Sequence, residues 1–184
     1  MHPLMKYTYL RGALLMDSKV SIKKITILAI MIALDFVLSP IFRIEGMAPM
    51  SSVLNVTAAV LMGPWYALVM AIVCACFRML LLGIPPLAFT GAVFGAFLAG
   101  LLYLIYRKNW MAVIGEIVGT GVSGSLASYP VMVWYTGSSN QLFWFVFTPK
   151  FFGGAISGSI IAYIILLRLS KTRQFKDIQK LFFK

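Results

Sequence analysis

The chain has 184 residues, of which 61% are hydrophobic and 11% are charged, and its mean hydropathy is +0.92. A soluble domain of this length cannot bury so much apolar surface, so the composition excludes that class and indicates an integral membrane protein. The net charge of +11 then favours contact with anionic lipid headgroups over binding of nucleic acid.

Six apolar runs follow one another along the chain, and most reach the roughly 20 residues that a spanning helix needs. Continuous runs favour helices over a membrane barrel, whose strands would show alternating segments. Pro40 ends the first run and Pro64 separates the second from the third, because proline interrupts a helix. The predicted helices are Ile22 to Ser39, Ser51 to Gly63, Trp65 to Leu82, Leu87 to Tyr106, Trp110 to Tyr135 and Phe143 to Leu169.

Basic residues predict the orientation of these helices. If the N-terminus is cytoplasmic, thirteen of the sixteen Lys and Arg residues lie on the inner side, and Arg43, Arg78 and Lys150 are the exceptions. The six apolar runs predict an all-α integral membrane protein with six transmembrane helices. The positive-inside rule predicts that its N- and C-termini are cytoplasmic. The chain divides into a tail (1–21), a membrane domain (22–169) and a basic tail (170–184). Residues 1–15 lack the small-residue cleavage site of a signal peptide, so we do not expect one there, and Met16 is a candidate for an alternative start.

A polar cluster is predicted on the outer side of the membrane domain. Arg43 and Glu45 lie in the loop between the first two apolar runs, while Asp35, Asn55 and Arg78 lie near the outer ends of helices. Charged residues at membrane depth are costly and usually functional. We therefore expect Arg43, Glu45, Asn55 and Arg78 to bind a ligand, with the first loop closing over it.

Aromatic residues surround the same region and predict the kind of ligand. Rings with a few polar groups hold small flat molecules, so Tyr129, Trp134 and Trp144 are candidate stacking partners. Part of this aromatic set fits an interfacial belt equally well. The further members are Phe42, Phe89, Tyr135, Phe143 and Phe147.

Motifs of catalysis and metal binding are missing from the sequence. His2 is the single histidine, and no phosphate-binding loop or nucleophile motif occurs, so we expect no catalytic residue, no metal site and no cofactor. Cys74 and Cys76 point to different faces of a helix and are expected to be packing residues. Glu116 lies nearer the cytoplasmic side, and a structural role within its glycine-rich helix is expected.

Small residues recur at helical spacing. Ala29 and Ala33 form an A-x-x-x-A pair on the cytoplasmic half of the first helix, where they could pack internally or meet a partner protein. The other sets are expected to pack helices within the bundle. They are Gly91 and Gly95, Gly115 with Gly119, Gly121 and Gly124, and Gly154 with Gly158.

Several of these motifs resemble those of a known family, over residues 22–169. The A-x-x-x-A pair is similar to the docking motif in the S components of energy-coupling factor (ECF) transporters. More specific are Leu38-Ser39-Pro40 with Arg43 and Asn55, and the run from Ala59 to Ala67. Together with Gly115-Glu116-Ile117-Val118-Gly119-Thr120-Gly121 and Ala127-Ser128-Tyr129-Pro130, they resemble the ThiW branch, which is associated with uptake of the thiazole precursor of thiamine.

The resemblance implies a binding subunit without enzymatic activity. It implies a transmembrane T component as partner, docked on Ala29 and Ala33, and two ATPases that hydrolyse ATP. The implied ligand is hydroxyethylthiazole or hydroxymethylpyrimidine, with pyridoxine or thiamine as alternatives, and the implied location is the bacterial plasma membrane. A membrane-embedded enzyme and a stand-alone channel are the alternatives of another class.

Overall fold

A computed structural model describes residues 3–44, 47–139 and 143–183, with side chains from residue 22 onward. These residues form seven α-helices and one π-helical segment, and they contain no strand, only an isolated bridge between Ile44 and Met47. The elements are α1 (Pro3–Ile41), α2 (Pro49–Leu82), α3 (Leu87–Tyr106), α4 (Asn109–Glu116), the π-helical segment (Ile117–Gly124), α5 (Ser125–Thr136), α6 (Thr148–Leu169) and α7 (Arg173–Phe182).

Within the described residues, five stretches are long and apolar enough to cross a membrane. They are Ile22–Ile41, Pro49–Leu82, Leu87–Tyr106, Asn109–Thr136 and Thr148–Leu169. Large apolar side chains cover the outside of the bundle, and Leu80, for example, is 81% exposed. Such a surface is favourable in contact with lipid, and with five stretches of spanning length the protein is a multi-pass membrane protein.

The second span, α2, is folded back on itself. Gly63 has φ 81° and ψ 179°, a conformation that glycine adopts readily, and Pro64 follows it. Nη1 of Arg78 donates a hydrogen bond to Oγ of Ser51 at 3.2 Å. In a straight helix these residues would lie about 40 Å apart. The chain therefore reverses at Gly63, and α2 consists of a first arm (49–63) and a second arm (64–82).

The first arm of α2 forms the centre of the bundle. Nearly all of its residues are buried, and Val56, Ala58, Ala59 and Val60 are completely so. Sequence analysis places a break at this point and counts the two arms as separate helices, and in the structure the non-helical Gly63 separates them. The break itself is present, in the form of a reversal rather than a loop.

Glycines bring α3 and the Asn109–Thr136 span into backbone contact. A Cβ atom added at Gly115 would lie 2.5 Å from the carbonyl oxygen of Leu98, and one added at Gly119 would lie 2.5 Å from that of Phe94. Only glycine allows this approach, which agrees with the packing role expected for these residues.

Helix α7 covers the end of the bundle at which α2 reverses. The Thr172 hydroxyl caps the helix by accepting from the Phe175 amide, and the Phe175 side chain is buried. Gln179 Nε2 donates to the carbonyl oxygen of Val60 and to the Tyr103 hydroxyl, both at 2.8 Å. We call this the α7 end. The segment expected to be a basic tail thus contains a packed helix.

Candidate functional site

A cavity of about 230 Å³ opens at the end of the bundle opposite α7, which we call the cavity end. It is smaller than the roughly 300–1,000 Å³ of pockets for drug-sized ligands, so it suits a smaller molecule. α1, both arms of α2, α3, the π-helical segment and α6 all contribute to its wall. The lining side chains that matter below are Ser39, Arg43, Ser51, Asn55, Arg78, Thr120, Phe147, Lys150 and Phe151.

A buried ion pair forms one wall of the cavity. Nη2 of Arg78 lies 2.7 Å from Oδ1 of Asp35, and the two side chains are 5% and 0% exposed. The same guanidinium donates to the hydroxyls of Ser39 and Ser51, and the Ser39 hydroxyl donates to Asp35 at 2.6 Å. These bonds join α1 to both arms of α2. Within the described residues, Nε of Arg78 has no hydrogen-bond partner.

Asn55, Glu116 and Thr120 form the polar floor of the cavity. Nδ2 of Asn55 donates to Oε1 of Glu116 at 3.3 Å and to the carbonyl oxygen of Ala92 at 3.2 Å. The Thr120 hydroxyl lies 3.0 Å from the same Oε1 and 2.8 Å from the carbonyl oxygen of Gly91. Asn55 and Thr120 line the cavity, and Glu116 lies directly behind them, completely buried.

This contact corrects the expectation that Glu116 stands apart from the polar cluster. The sequence argument placed Asn55 near one membrane face and Glu116 near the other. The first arm begins at Pro49, so Asn55 is about 9 Å inside the bundle, at the depth of Glu116. The π-helical segment begins at the next residue, and π-helical turns are frequent at functional sites.

The mouth of the cavity carries the residues of the first loop and of α6. Arg43 and Lys150 line it and are exposed. Met47 packs against α6, where a Cβ atom added at Gly153 would lie 2.7 Å from its sulfur. Glu45, which sequence analysis includes in the site, lies outside the described residues.

The rings that line the cavity are Phe147 and Phe151, whose centroids are 6.5 Å apart. Tyr129 and Trp144 pack on each other with centroids 4.7 Å apart, and Trp134 is 83% exposed, but none of the three is among the lining residues. Sequence analysis missed Phe151 as a candidate. Its spacing of four residues from Phe147 puts both rings on one helix face, and that pattern could have identified it.

Within the part of the chain that the structure describes, no three His, Cys, Asp or Glu side chains lie together as a metal site. Cys74 and Cys76 are both free. Cys74 is buried, as expected for a packing residue, whereas Cys76 is exposed. The arrangement therefore offers hydrogen bonds, charge and ring contacts to a ligand.

Comparison with known families identifies the family of the chain. Residues 25–172 match a family model described as thiamine-precursor transporter protein (ThiW). The chain belongs to the ThiW family. This confirms the resemblance seen in the sequence, and it identifies a transporter rather than an enzyme. The match includes every residue that lines the cavity. Searches of curated proteins and of solved structures found no match.

Proposed function

We propose that this ThiW protein is the substrate-binding S component of an ECF transporter and binds a thiamine precursor, hydroxyethylthiazole or hydroxymethylpyrimidine, in the cavity. The observation that carries the proposal is the cavity itself, which has a buried polar floor, two lining rings and room for a small molecule. The family match supports transport of a thiamine precursor. Pyridoxine and thiamine are the competing ligands.

The proposed orientation counts the two arms of α2 as separate crossings, which makes six. The chain then starts and ends on the same side. Most Lys and Arg residues fall at the α7 end, so this end faces the cytoplasm by the positive-inside rule. The cavity end, with Arg43, Arg78 and Lys150, faces the outside of a bacterial plasma membrane and receives the ligand there.

The proposed site consists of the predicted residues and of the lining residues found in the structure. Arg43, Asn55 and Arg78 line the cavity, and their position supports a role in binding. The aromatic candidates Tyr129, Trp134 and Trp144, together with Glu45, stay predictions. Phe147 and Phe151 offer the ring surface within the cavity.

The proposed partners are an ECF T component and two ATPases, and Ala29 and Ala33 are the proposed docking residues. Both alanines are exposed on α1 and are one helical turn apart. Small side chains at this spacing let another helix approach closely. ATP hydrolysis by the ATPases would supply the energy for import.

A binding titration of the purified protein tests the proposal. The ligands are hydroxyethylthiazole, hydroxymethylpyrimidine, pyridoxine and thiamine, and saturable binding of one of the first two is expected. Binding of pyridoxine or thiamine alone would identify that vitamin, instead of a thiamine precursor, as the substrate. Binding of none of the four would contradict a subunit that binds one of these vitamins or precursors.

A further inference from the structure

The direction of the Asn55 amide is fixed by its surroundings. A backbone carbonyl can only accept a hydrogen bond, so the amide atom beside the Ala92 oxygen must be the nitrogen. The second hydrogen of that nitrogen is directed to Oε1 of Glu116. Both amide hydrogens are thus used inside the protein, and the side chain cannot turn over without losing two bonds.

The oxygen of the same amide lacks a hydrogen-bond partner among the described residues. This atom, Oδ1 of Asn55, is buried, although Asn55 lines the cavity. Buried polar atoms in folded proteins are nearly always hydrogen-bonded, so this one requires a partner that the described chain does not supply.

Thr120 adds a second acceptor to the floor. Its hydroxyl has one hydrogen, which it donates either to the Gly91 carbonyl or to Glu116. Both acceptors lie within the helix packing, so the hydroxyl has only lone pairs to offer to the cavity that it lines.

Glu116 makes this arrangement possible. Its carboxyl group is fully buried between the first arm of α2 and Gly95 of α3, and no ion pair to it occurs among the described residues. Burial of a carboxyl group is costly. Its Oε1 accepts a hydrogen bond from Asn55 and lies within reach of the Thr120 hydroxyl. Glu116 therefore directs the hydrogens of these two side chains away from the cavity.

We propose that Glu116 is a positioning residue that holds Asn55 as an obligate acceptor, so that the cavity selects a ligand with an O–H or N–H donor at its buried end. This inference rests on the proposed function, and it adds which end of the bound ligand lies at the floor of the cavity. At the mouth, Arg43 and Lys150 supply donors, so the opposite end of the ligand carries an acceptor.

The test compares a ligand with its methyl ether. Hydroxyethylthiazole and its O-methyl derivative differ in the donor hydrogen, while the ether oxygen can still accept. Wild-type protein should bind the alcohol at least about 10-fold more tightly, because the ether leaves the Asn55 oxygen unpaired. If hydroxymethylpyrimidine is the better ligand, its hydroxyl and its amino group are both donors. Its methyl ether and its dimethylamino analogue are then compared with it, and one of the two should bind at least about 10-fold more weakly.

Variants of Asn55 and Glu116 test whether these residues cause the preference for the alcohol over the ether. Asn55→Leu should reduce the alcohol-to-ether ratio to within about 2-fold while ether binding persists. Glu116→Met should lower the ratio as well, whereas Glu116→Gln should keep it, because a glutamine oxygen can still accept from Asn55. Ser159→Ala is the control, since Ser159 is buried on α6 but does not line the cavity.

The outcomes separate this inference from the proposed function. Equal binding of alcohol and ether by the wild-type protein, which needs no variant to fold, overturns the inference alone. A preference that survives in Asn55→Leu also overturns it. If neither precursor binds to the wild-type protein, the proposed function fails, and the inference fails with it.

Discussion

The cavity end and the α7 end of the bundle differ in whether their buried polar groups have hydrogen-bond partners. At the α7 end, Gln179 donates to the Val60 carbonyl, one of the last carbonyls before the chain reverses, and so satisfies an atom that lacks a helical partner. At the cavity end, two contacting pairs of residues carry four of the five buried polar side-chain atoms without a partner among the described residues. These atoms belong to Asp35, Asn55, Arg78 and Glu116.

This difference indicates that the two ends have different roles. Native proteins leave few buried polar atoms unpaired, so such a concentration marks a place arranged for a further partner. The α7 end is closed by its own side chains and holds the fold together. Four experiments, in order of decreasing expected effect, can break or sharpen this comparison.

Ala29→Trp and Ala33→Trp test whether coupling is separate from ligand binding. Both alanines are exposed on α1, away from the residues that line the cavity. A large ring there should block close helix approach, so co-purification with the proposed T component and the proposed ATP-driven uptake should fall to background. Ligand affinity, measured by titration, should not change. If both variants assemble and transport, the docking surface lies elsewhere.

Arg78→Ala should affect both stability and binding. Removing the guanidinium leaves Asp35 buried without its partner, at a cost of about 3–5 kcal/mol in unfolding free energy. Thermal unfolding in detergent and ligand titration provide the measurements. The matched control is Arg78→Leu combined with Asp35→Leu, which should recover stability but not affinity. Recovery of affinity in the double variant would exclude Arg78 from ligand contact.

Phe151→Ala and Trp144→Ala compare the lining ring with a predicted ring outside the cavity. Phe151 lines the cavity, so its loss should weaken ligand binding by about 1–3 kcal/mol through lost apolar contact. Trp144 packs on Tyr129, and a smaller effect is expected. Titration of both variants decides between the two. A larger loss for Trp144→Ala would show that the ligand lies nearer to the sequence-predicted aromatics.

Gln179→Met should lower stability without changing affinity. The substitution keeps the side-chain length but removes the bonds to Val60 and Tyr103, which costs about 1–2 kcal/mol. Lys176→Met, on the exposed side of α7, is the control for adding a methionine. A change in ligand affinity with Gln179→Met would contradict the separation of the two ends.

The local features of the fold could be predicted from the sequence. Helix α3 has the bounds predicted for the fourth helix, Leu87 to Tyr106, because Pro85-Pro86 precede this apolar run and Arg107-Lys108-Asn109 follow it. The break at Gly63-Pro64 was also recognised. Helix α7 was missed, although Phe175, Ile178 and Phe182 have the spacing of an amphipathic helix.

The last predicted helix shows a limit of the same local argument. Apolar residues begin at Phe143, but α6 begins at Thr148, with Pro149 in its first turn. Proline is favoured in that turn because it lacks an amide hydrogen, and this rule locates the start better than hydrophobicity does.

By itself, the sequence determined the class of the protein, most of its helices and the set of polar residues at membrane depth, because each depends on residue type and on near neighbours. Only the tertiary structure decided which of these meet. The reversal at Gly63 brings Arg78 to Ser51, and packing of the first arm against the Asn109–Thr136 span brings Asn55 to Glu116. Such contacts join residues 27 and 61 positions apart, and no periodicity in the chain encodes a distance of that kind.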